Sequence, residues 1–454
     1  MLKEALFGSN YDFTEGDLNR AIVLLAIPMI LEMAMESLFG VVDVFFVSRL
    51  GSDAVATVGL TESLLTLVFG VAIGLSMATT AFVARRTGEK DPEGAAESSF
   101  QAILLGLFIS AVVGAIGILK APELLHVMGS TAAVEANSRY TQVMLGGSAV
   151  IFLLFLINAI FRGAGDASLA MRTLWLANGI NIILDPCLIN GWGPFPRLGV
   201  LGAAVATTTG RGIGVLYQLF ALSSGANRIV IRRAQMRLNL PVMWNLLRVS
   251  STGIAQFLIA NASWMALIRI VSSFGSAAVA GYTIAVRLLI FAILPSWGLS
   301  NAAATLVGQN LGAHKPERAE KSVYRAGFYN MTYMAVVTVA FVFFPGLLVA
   351  IFTHDPAVAS PAVSCLIIFG VTMMSYAWGM VLMQAFNGAG DTMTPTLINI
   401  LAFWACQIPL AYCFAIPLGW GPRGAFLAVP IADVLFTLVA LVLFRRGTWK
   451  TQKI

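Results

Sequence analysis

Charge is what this 454-residue chain has least of. Only 11% of its residues are Asp, Glu, Lys or Arg, against roughly 25% in an ordinary soluble protein. With 58% hydrophobic residues and a mean hydropathy of +0.84, a soluble globular fold is excluded. Histidine is nearly absent too: His126, His314 and His354 stand in separate loops and form no ligand cluster. The four cysteines (Cys187, Cys365, Cys406, Cys413) lie inside apolar runs, where cysteine acts as a small packing residue, so neither a disulfide framework nor a metal site is expected. The first 20 residues hold Glu4, Asp12, Glu15 and Asp17, the wrong flank for a cleavable secretory signal.

What remains is apolar sequence in span-length pieces. Runs of about 20 residues or more suffice to cross a bilayer. Twelve are present: 21–48, 54–82, 98–119, 137–161, 169–190, 198–222, 243–271, 277–309, 323–352, 361–386, 394–416 and 423–445. The expected fold is an all-α polytopic membrane protein. The net charge of +6 sits in alternate loops: Arg85, Arg86 and Lys90; Arg228, Arg232, Arg233 and Arg237; Lys315, Arg318, Lys321 and Arg325; Arg445, Arg446, Lys450 and Lys453. Intervening loops carry little beyond Arg49, Lys120, Arg197 and Arg423. That asymmetry is a topology signal, not a nucleic-acid footprint, and it places both termini in the cytoplasm of a cell (inner) membrane.

The halves repeat. LGSDAVA at 50–56 returns as FGSAAVA at 274–280, and GEKDPEGAAES at 88–98 as GAHKPERAEKS at 312–322, both at an offset of 224. FRGAGD at 161–166 returns as FNGAGD at 386–391, and GWGP at 191 recurs at 419. The chain is a duplicated six-helix unit. Six is even, so the two units are parallel repeats about an axis normal to the membrane, an arrangement suited to alternating access. The expected domains are an N-lobe over 1–222, a cytoplasmic linker over 223–240 and a C-lobe over 241–454. The Pro of KDPE and HKPE suits a first helical turn, and the glycines and Asp of GAGD can end one helix and cap the next.

Ionisable residues inside spans are costly, roughly 2.5–3.5 kcal/mol at mid-bilayer, and so mark function. Glu32, Glu36 and Asp43 lie in span 1, Glu62 in span 2, Asp185 in span 5 and Asp433 in span 12, with Arg287 in span 8. At 100° per residue, Glu32, Glu36 and Asp43 fall within an arc of about 40°, one acidic stripe. At offset 224 they align with Gln256, Ala260 and Leu267, so only one copy is acidic. Asn181 and Asp185 share a face at i, i+4, and Pro186 frees the carbonyl of Ile182. Carboxylate, amide and carbonyl together suit a proton or a small hard cation, with Thr207, Thr208 and Thr209 available to add hydroxyls. The structural alternative is that these acids pair with Arg139, Arg162 or Arg211. Methionines at 29, 33 and 35 and at 373, 374, 380 and 383 suit either packing or a yielding ligand surface.

VVDVFFVSRLG at 41–51, NIILDPCLI at 181–189, ATLVGQNLGAHKPERA at 304–319 and FNGAGDTMTPT at 386–396 resemble the multidrug and toxic compound extrusion (MATE) transporters, over essentially the whole chain. The resemblance implies two six-helix bundles in a V around a central cavity, exporting organic, often cationic, compounds in exchange for H⁺ or Na⁺. It implies that Asp43, Asn181 and Asp185 hold the coupling cation, a possible Na⁺ included, with Asn158 and Thr207 as helpers and Glu36 alongside. Glu32, Met33, Gln256 and Met383 are candidates for the substrate cavity. Several acids on one stripe favour H⁺, while Asp with Asn and a free carbonyl suits Na⁺. A branch of the family also uses acids of helix 7 and the C-lobe; here helix 7 offers only Gln256. The expected molecule is thus a monomeric antiporter without cofactor or enzymatic activity, whose partners are small organic molecules and the bilayer. A lipid or lipid-linked oligosaccharide flippase of related fold is the alternative.

Overall fold

The computed structural model describes residues 1–225, 227–452 and 454; Lys453, counted above among the closing basic residues, lies outside them. Among the described residues every regular element is helical. Twelve crossing elements follow in order. The first six are α1 (Leu18–Val47), α2 (Ser52–Gly88), α3 (Pro92–Val127), α4 (Ser138–Ala164), α5 (Ala167–Asn190) and α6 (Val200–Ser223). The second six are α7 (Leu240–Ser272), α8 (Ser276–Gly312), α9 (Pro316–Phe343), α10 (Pro356–Gly370 with Met373–Ala389), α11 (Met393–Ala415) and α12 (Gly421–Arg446). Ten are by themselves long and apolar enough to cross a membrane, and α10 makes eleven despite a 58° bend. The twelfth, α6, has 24 residues, but three threonines, four glycines and Arg211 dilute its hydropathy.

Three expected spans are less continuous than their hydrophobicity suggests. The run at 323–352 stops at Phe343, and Pro345 opens a separate short helix, Pro345–Ala350, because proline lacks the N–H that would continue the ladder. The run at 361–386 breaks between Gly370 and Met373. In α11 the backbone widens to a π-helix over Ile400–Gln407, a form that recurs at functional sites.

The repeat extends to backbone detail. Both α2 and α8 have 37 residues, each begins after a glycine with positive φ (Gly51 at 101°, Gly275 at 95°), and each is followed by a rare left-handed non-glycine residue (Lys90 at 59°, His314 at 56°). Gly165 and Gly390 of the GAGD motifs end α4 and α10 in the left-handed conformation at 84° and 85°. The two aspartates then differ. Asp391 accepts the Thr394 N–H at 3.1 Å, whereas Asp166 takes the Ser168 hydroxyl and caps no backbone group.

The halves meet most tightly at the basic-loop end. A Cβ on Gly88 would collide with the Gln309 carbonyl, and one on Gly312 with the Arg85 carbonyl, so α2 and α8 touch backbone to backbone there. Gln309 Nε2 donates to the Gly163 carbonyl at 2.8 Å, and Thr305 to that of Arg162 at 3.1 Å. Helix α1 divides its loyalties. Its first half (Ile22, Leu25, Met29) packs into a core shared with Leu306, Phe386 and Phe444 of the second six helices, while Val47 joins the core of the first six.

A strap formed by the N-terminal segment crosses the same end. Phe13 is 1% exposed beneath the Arg228 guanidinium, 5.0 Å from the ring centroid. Arg228 Nη2 donates to the Ser9 and Tyr11 carbonyls at 2.7 Å each. From the other half, Lys315 donates to the Thr14 carbonyl at 3.1 Å, and Arg318 to those of Gly16 and Glu15 at 3.0 and 2.7 Å.

Candidate cation and substrate site

The acidic stripe of α1 faces α4, α5 and α6, and each acid meets a different environment. Glu32 is 2% exposed and accepts Arg162 Nη1 at 2.8 Å and Asn158 Nδ2 at 3.2 Å. Asn158 in turn accepts Gln218 Nε2 at 2.6 Å. Glu36 accepts Asn178 Nδ2 at 3.1 Å and Arg211 Nη2 at 3.5 Å. The Arg211 guanidinium lies against the Phe39 and Phe69 rings, 5.5 and 5.7 Å from their centroids. The pairing weighed as the structural alternative therefore applies to Glu32 with Arg162 and to Glu36 with Arg211.

Asp43 and Asp185 differ. Asp43 has no hydrogen bond or ion pair of its own among the described residues; it lies within electrostatic reach of Arg211, Asp185 and Glu62. Asp185 is fully buried on α5 and accepts only the Asn181 amide, at a long 3.4 Å. The same amide donates to Thr207 Oγ1 at 3.0 Å. Two buried acceptors, Asp185 Oδ2 and Asn181 Oδ1, have no partner. Such orphaned oxygens are rare in a folded interior and cost about 1–3 kcal/mol each.

Glycine makes this junction possible. A Cβ on Gly210, one turn beyond Thr207, would stand 2.6 Å from the Ala177 carbonyl and 3.2 Å from the Asn181 Cβ. Without it, α6 would be held off α5 and Thr207 could not reach Asn181. The charge count follows. Four acids (Glu32, Glu36, Asp43, Asp185) share the site with two bases (Arg162, Arg211), leaving two negative charges in excess. Asp185, Asn181 and Thr207 form one hydrogen-bonded group, and Asp43 lies within electrostatic reach of Asp185.

The expected helpers divide. Thr207 joins the Asn181–Asp185 pair, whereas Asn158 belongs to the Glu32–Arg162 network. Asn178, Gln218 and buried Tyr140, which lies in the field of Asp43, Glu62 and Asp185, were not anticipated. Asn178 had a signal: with Asn181 and Asp185 it makes an i, i+3, i+7 face. Gln218 likewise continues the polar line of Thr207 and Arg211 along α6.

Two cavities share Met77, Trp297 and Gln384 in their linings, and the smaller touches the acidic stripe through Glu36. One, about 210 Å³, sits between the halves and is lined by Met33, Glu36, Arg162, Trp297 and Gln384. The other, about 630 Å³, occupies the second half and bears Gln256, Trp264, Tyr376, Met383 and Phe436. Its lining includes no charged residue. Met33, Gln256 and Met383 thus face cavities, while Glu32 lines neither; Met29 and Met373 are core residues, 1% and 2% exposed. Asp433 is buried on α12, accepting the Thr372 hydroxyl at 3.3 Å.

Comparison with known proteins decides the family. The sequence profile of the MatE family matches the chain twice, at residues 28–187 and 254–413, one copy in each half. The chain belongs to the MatE family. It is similar to the probable multidrug resistance protein NorM of Thermotoga maritima, at 26% identity with 96% of this chain and 94% of that protein covered. A second relative is the FAD transporter of Shewanella oneidensis, 25% identical over 94% and 95% of the two chains. Among solved structures, a MATE transporter in complex with MaL6 superposes with a TM-score of 0.91 at 26% identity, covering 97% of this chain and 99% of that one. An outward-facing multidrug resistance MATE transporter gives 0.90, covering 97% and 98%. This MatE chain is accordingly a multi-pass membrane transporter, not an enzyme, and its twelve helices form the two lobes of the family's V.

Proposed function

We propose that the protein exports organic compounds by alternating access, driven by inward movement of a cation that binds between Asp43 and Asp185. The observation that carries this reading is the excess of two negative charges within the helix bundle, concentrated on fully buried Asp185 and partly buried Asp43, the two acids without an arginine of their own. A buried, unpaired carboxylate is stable only when a proton or metal cation neutralises it. The stripe of acids favours H⁺; the Asn181 and Thr207 oxygens keep Na⁺ as a second candidate.

The lobes are N-lobe 1–222 and C-lobe 241–454, joined by the 223–240 linker. Closure at the basic-loop end supports a state open to the opposite, external side, with both termini cytoplasmic. Neutralising Asp43 and Asp185 removes their attraction for Arg211 and for a cationic substrate, which allows α1 to repack. Pro28 and Pro186 supply the points where α1 and α5 can bend. Both the acidic site and the cavities are complete within one chain, which supports a monomer.

Aromatic and methionine side chains around an uncharged cavity suit planar, amphipathic compounds, with cation–π attraction for those bearing positive charge. Relatives named for multidrug resistance and for FAD bracket that range of chemistry. A flippase for phosphate-bearing lipids is less supported, because its cavity should carry bases and this C-lobe lining has none.

The test is efflux of a fluorescent cationic dye from proteoliposomes under separately imposed H⁺ and Na⁺ gradients. Asp43→Asn and Asp185→Asn should each abolish gradient-driven efflux in folded protein. Coupled flux that survives Asp43→Asn would refute the proposal.

A further inference from the structure

The duplicated loop motif has acquired opposite charge in its two copies. Residues 88–98 carry four acids (Glu89, Asp91, Glu93, Glu97) against Lys90, whereas residues 312–322 carry Lys315, Arg318 and Lys321 against Glu317 and Glu320, with Arg325 one turn further. The backbone is the same in both, down to the left-handed residues Lys90 and His314 and the first-turn prolines Pro92 and Pro316. Lys315 and Arg318 hold the N-terminal strap, but the repeated backbone itself does not require basic charge at Lys321 and Arg325.

The two copies also differ in what covers them. In the first, the linker lies over the α3 face: Asn239 Nδ2 donates to Glu97 at 2.8 Å, and Gln101 Nε2 donates to the Arg237 carbonyl at 2.6 Å. The residues at the same repeat positions in the second copy are Lys321 and Arg325, and both are exposed. They border a cavity of about 1000 Å³ between the start of α9 and the start of α1, together with Lys315, Arg318, Tyr324 and Leu18. Lys315 meets Glu15 at 3.5 Å, and Asp17 and Glu317 also line the cavity, so its four cations outnumber its two acids by two. Arg318 bonds backbone carbonyls and Arg325 bonds Asn19 Oδ1 at 3.0 Å, while Glu320 is already engaged by Lys450.

The face continues into apolar surface. Lys321, Arg325, Phe328, Val336, Val339 and Phe343 follow one another at spacings of three, four or eight along α9, and all six are exposed. On a helix those spacings make one stripe, charged at the membrane boundary and apolar below it. That is the profile of a phospholipid, headgroup above and acyl chains beneath.

We propose that this pocket binds the headgroup of an anionic phospholipid from the leaflet on the basic-loop side, with its acyl chains along the Phe328–Phe343 stripe. Basic pockets between transmembrane helices on that side hold lipid phosphates by charge, each Lys or Arg near the surface contributing roughly fivefold in affinity.

The experiment compares binding of phosphatidylglycerol and phosphatidylcholine to the purified full-length protein by native mass spectrometry, with inorganic phosphate as competitor. The variant Lys321→Glu/Arg325→Gln installs the residues the first copy carries at these positions. It should keep its melting temperature within a few degrees and its dye export in neutral lipid. Wild type should prefer phosphatidylglycerol, and the variant should lose that preference by on the order of 100-fold, three charge units at roughly fivefold each. Equal binding of the two lipids by wild type, or an unchanged preference in the variant, would overturn the site. Displacement of the lipid by millimolar inorganic phosphate would overturn the lipid assignment in favour of a soluble anion.

Discussion

Glu32 offers the sharpest separation of scaffold from mechanism, because it shares a stripe with Asp43 yet is held quite differently. Its carboxylate is 2% exposed, with Arg162 at 2.8 Å and Asn158 at 3.2 Å. Glu32→Gln keeps one carbonyl acceptor for these donors but removes the charge that balances a guanidinium only 12% exposed. Breaking a buried pair from one side costs about 3–5 kcal/mol, and the retained acceptor puts this variant near the lower end, about 3 kcal/mol. Adding Arg162→Met removes the stranded cation, so most of the loss should return. The double-mutant cycle should then give a coupling of about 2 kcal/mol. Unfolding of detergent-solubilised protein measures the cycle, and dye efflux per folded molecule measures function. Glu32→Gln should lose stability and keep gradient-driven export; Asp43→Asn should do the reverse. Full stability in Glu32→Gln with export abolished would show that the Glu32–Arg162 pair belongs to the transport cycle, and the assignment of roles would fail.

Three further outcomes follow from the same geometry. Thr207→Val keeps shape but removes the hydroxyl that holds Asn181, so half-maximal coupling should need about 5-fold more cation, roughly one hydrogen bond; an unchanged cation dependence of efflux counts against Thr207. Gly88→Leu places a side chain where α2 meets the Gln309 carbonyl, so the basic-loop end should no longer seal; maleimide labelling of Cys introduced at Ala389 should rise several-fold, and unchanged labelling refutes it. The third concerns Asp12 in the strap. Burial raises its pKa, but the Thr14 hydroxyl and N–H, at 2.6 and 2.9 Å, outweigh that and hold it below the usual carboxylate range. A depressed pKa stabilises at every pH above the unfolded value and is lost only as pH falls through the folded one, below about pH 4. The pH profile of transport between 5 and 8 should therefore be the same in Asp12→Asn as in wild type.

Much of this architecture can be read from the chain because the bilayer imposes length and hydropathy on each crossing, and because duplication leaves offsets that can be counted. The interruptions are harder to see. Pro345 stands inside an apolar run whose hydropathy masks the break, and the π-helical stretch of α11 has no compositional mark at all. At the site, helical spacing groups Asn181 with Asp185, which hydrogen-bond at 3.4 Å, and puts Glu32, Glu36 and Asp43 on one stripe, since a face follows from periodicity within one helix. Which arginine meets which acid depends on how neighbouring helices are rotated and tilted, and that is not written in either sequence alone. Asn158 shows the limit: it is buried and polar on the expected helix, yet it points to Glu32 and Gln218. Gly210 shows another, for its role is visible only once α5 and α6 are seen to approach through it.

The strap across the basic-loop end also orders the birth of the molecule. Phe13 and its neighbours precede all twelve crossing helices, but their partners are Arg228, Lys315 and Arg318. The strap can therefore dock in full only after Lys315 and Arg318, 301 and 303 residues beyond their partners Thr14 and Glu15, have been made. Its docking needs residues from both repeats, so the strap can close only on a molecule whose halves have already come together.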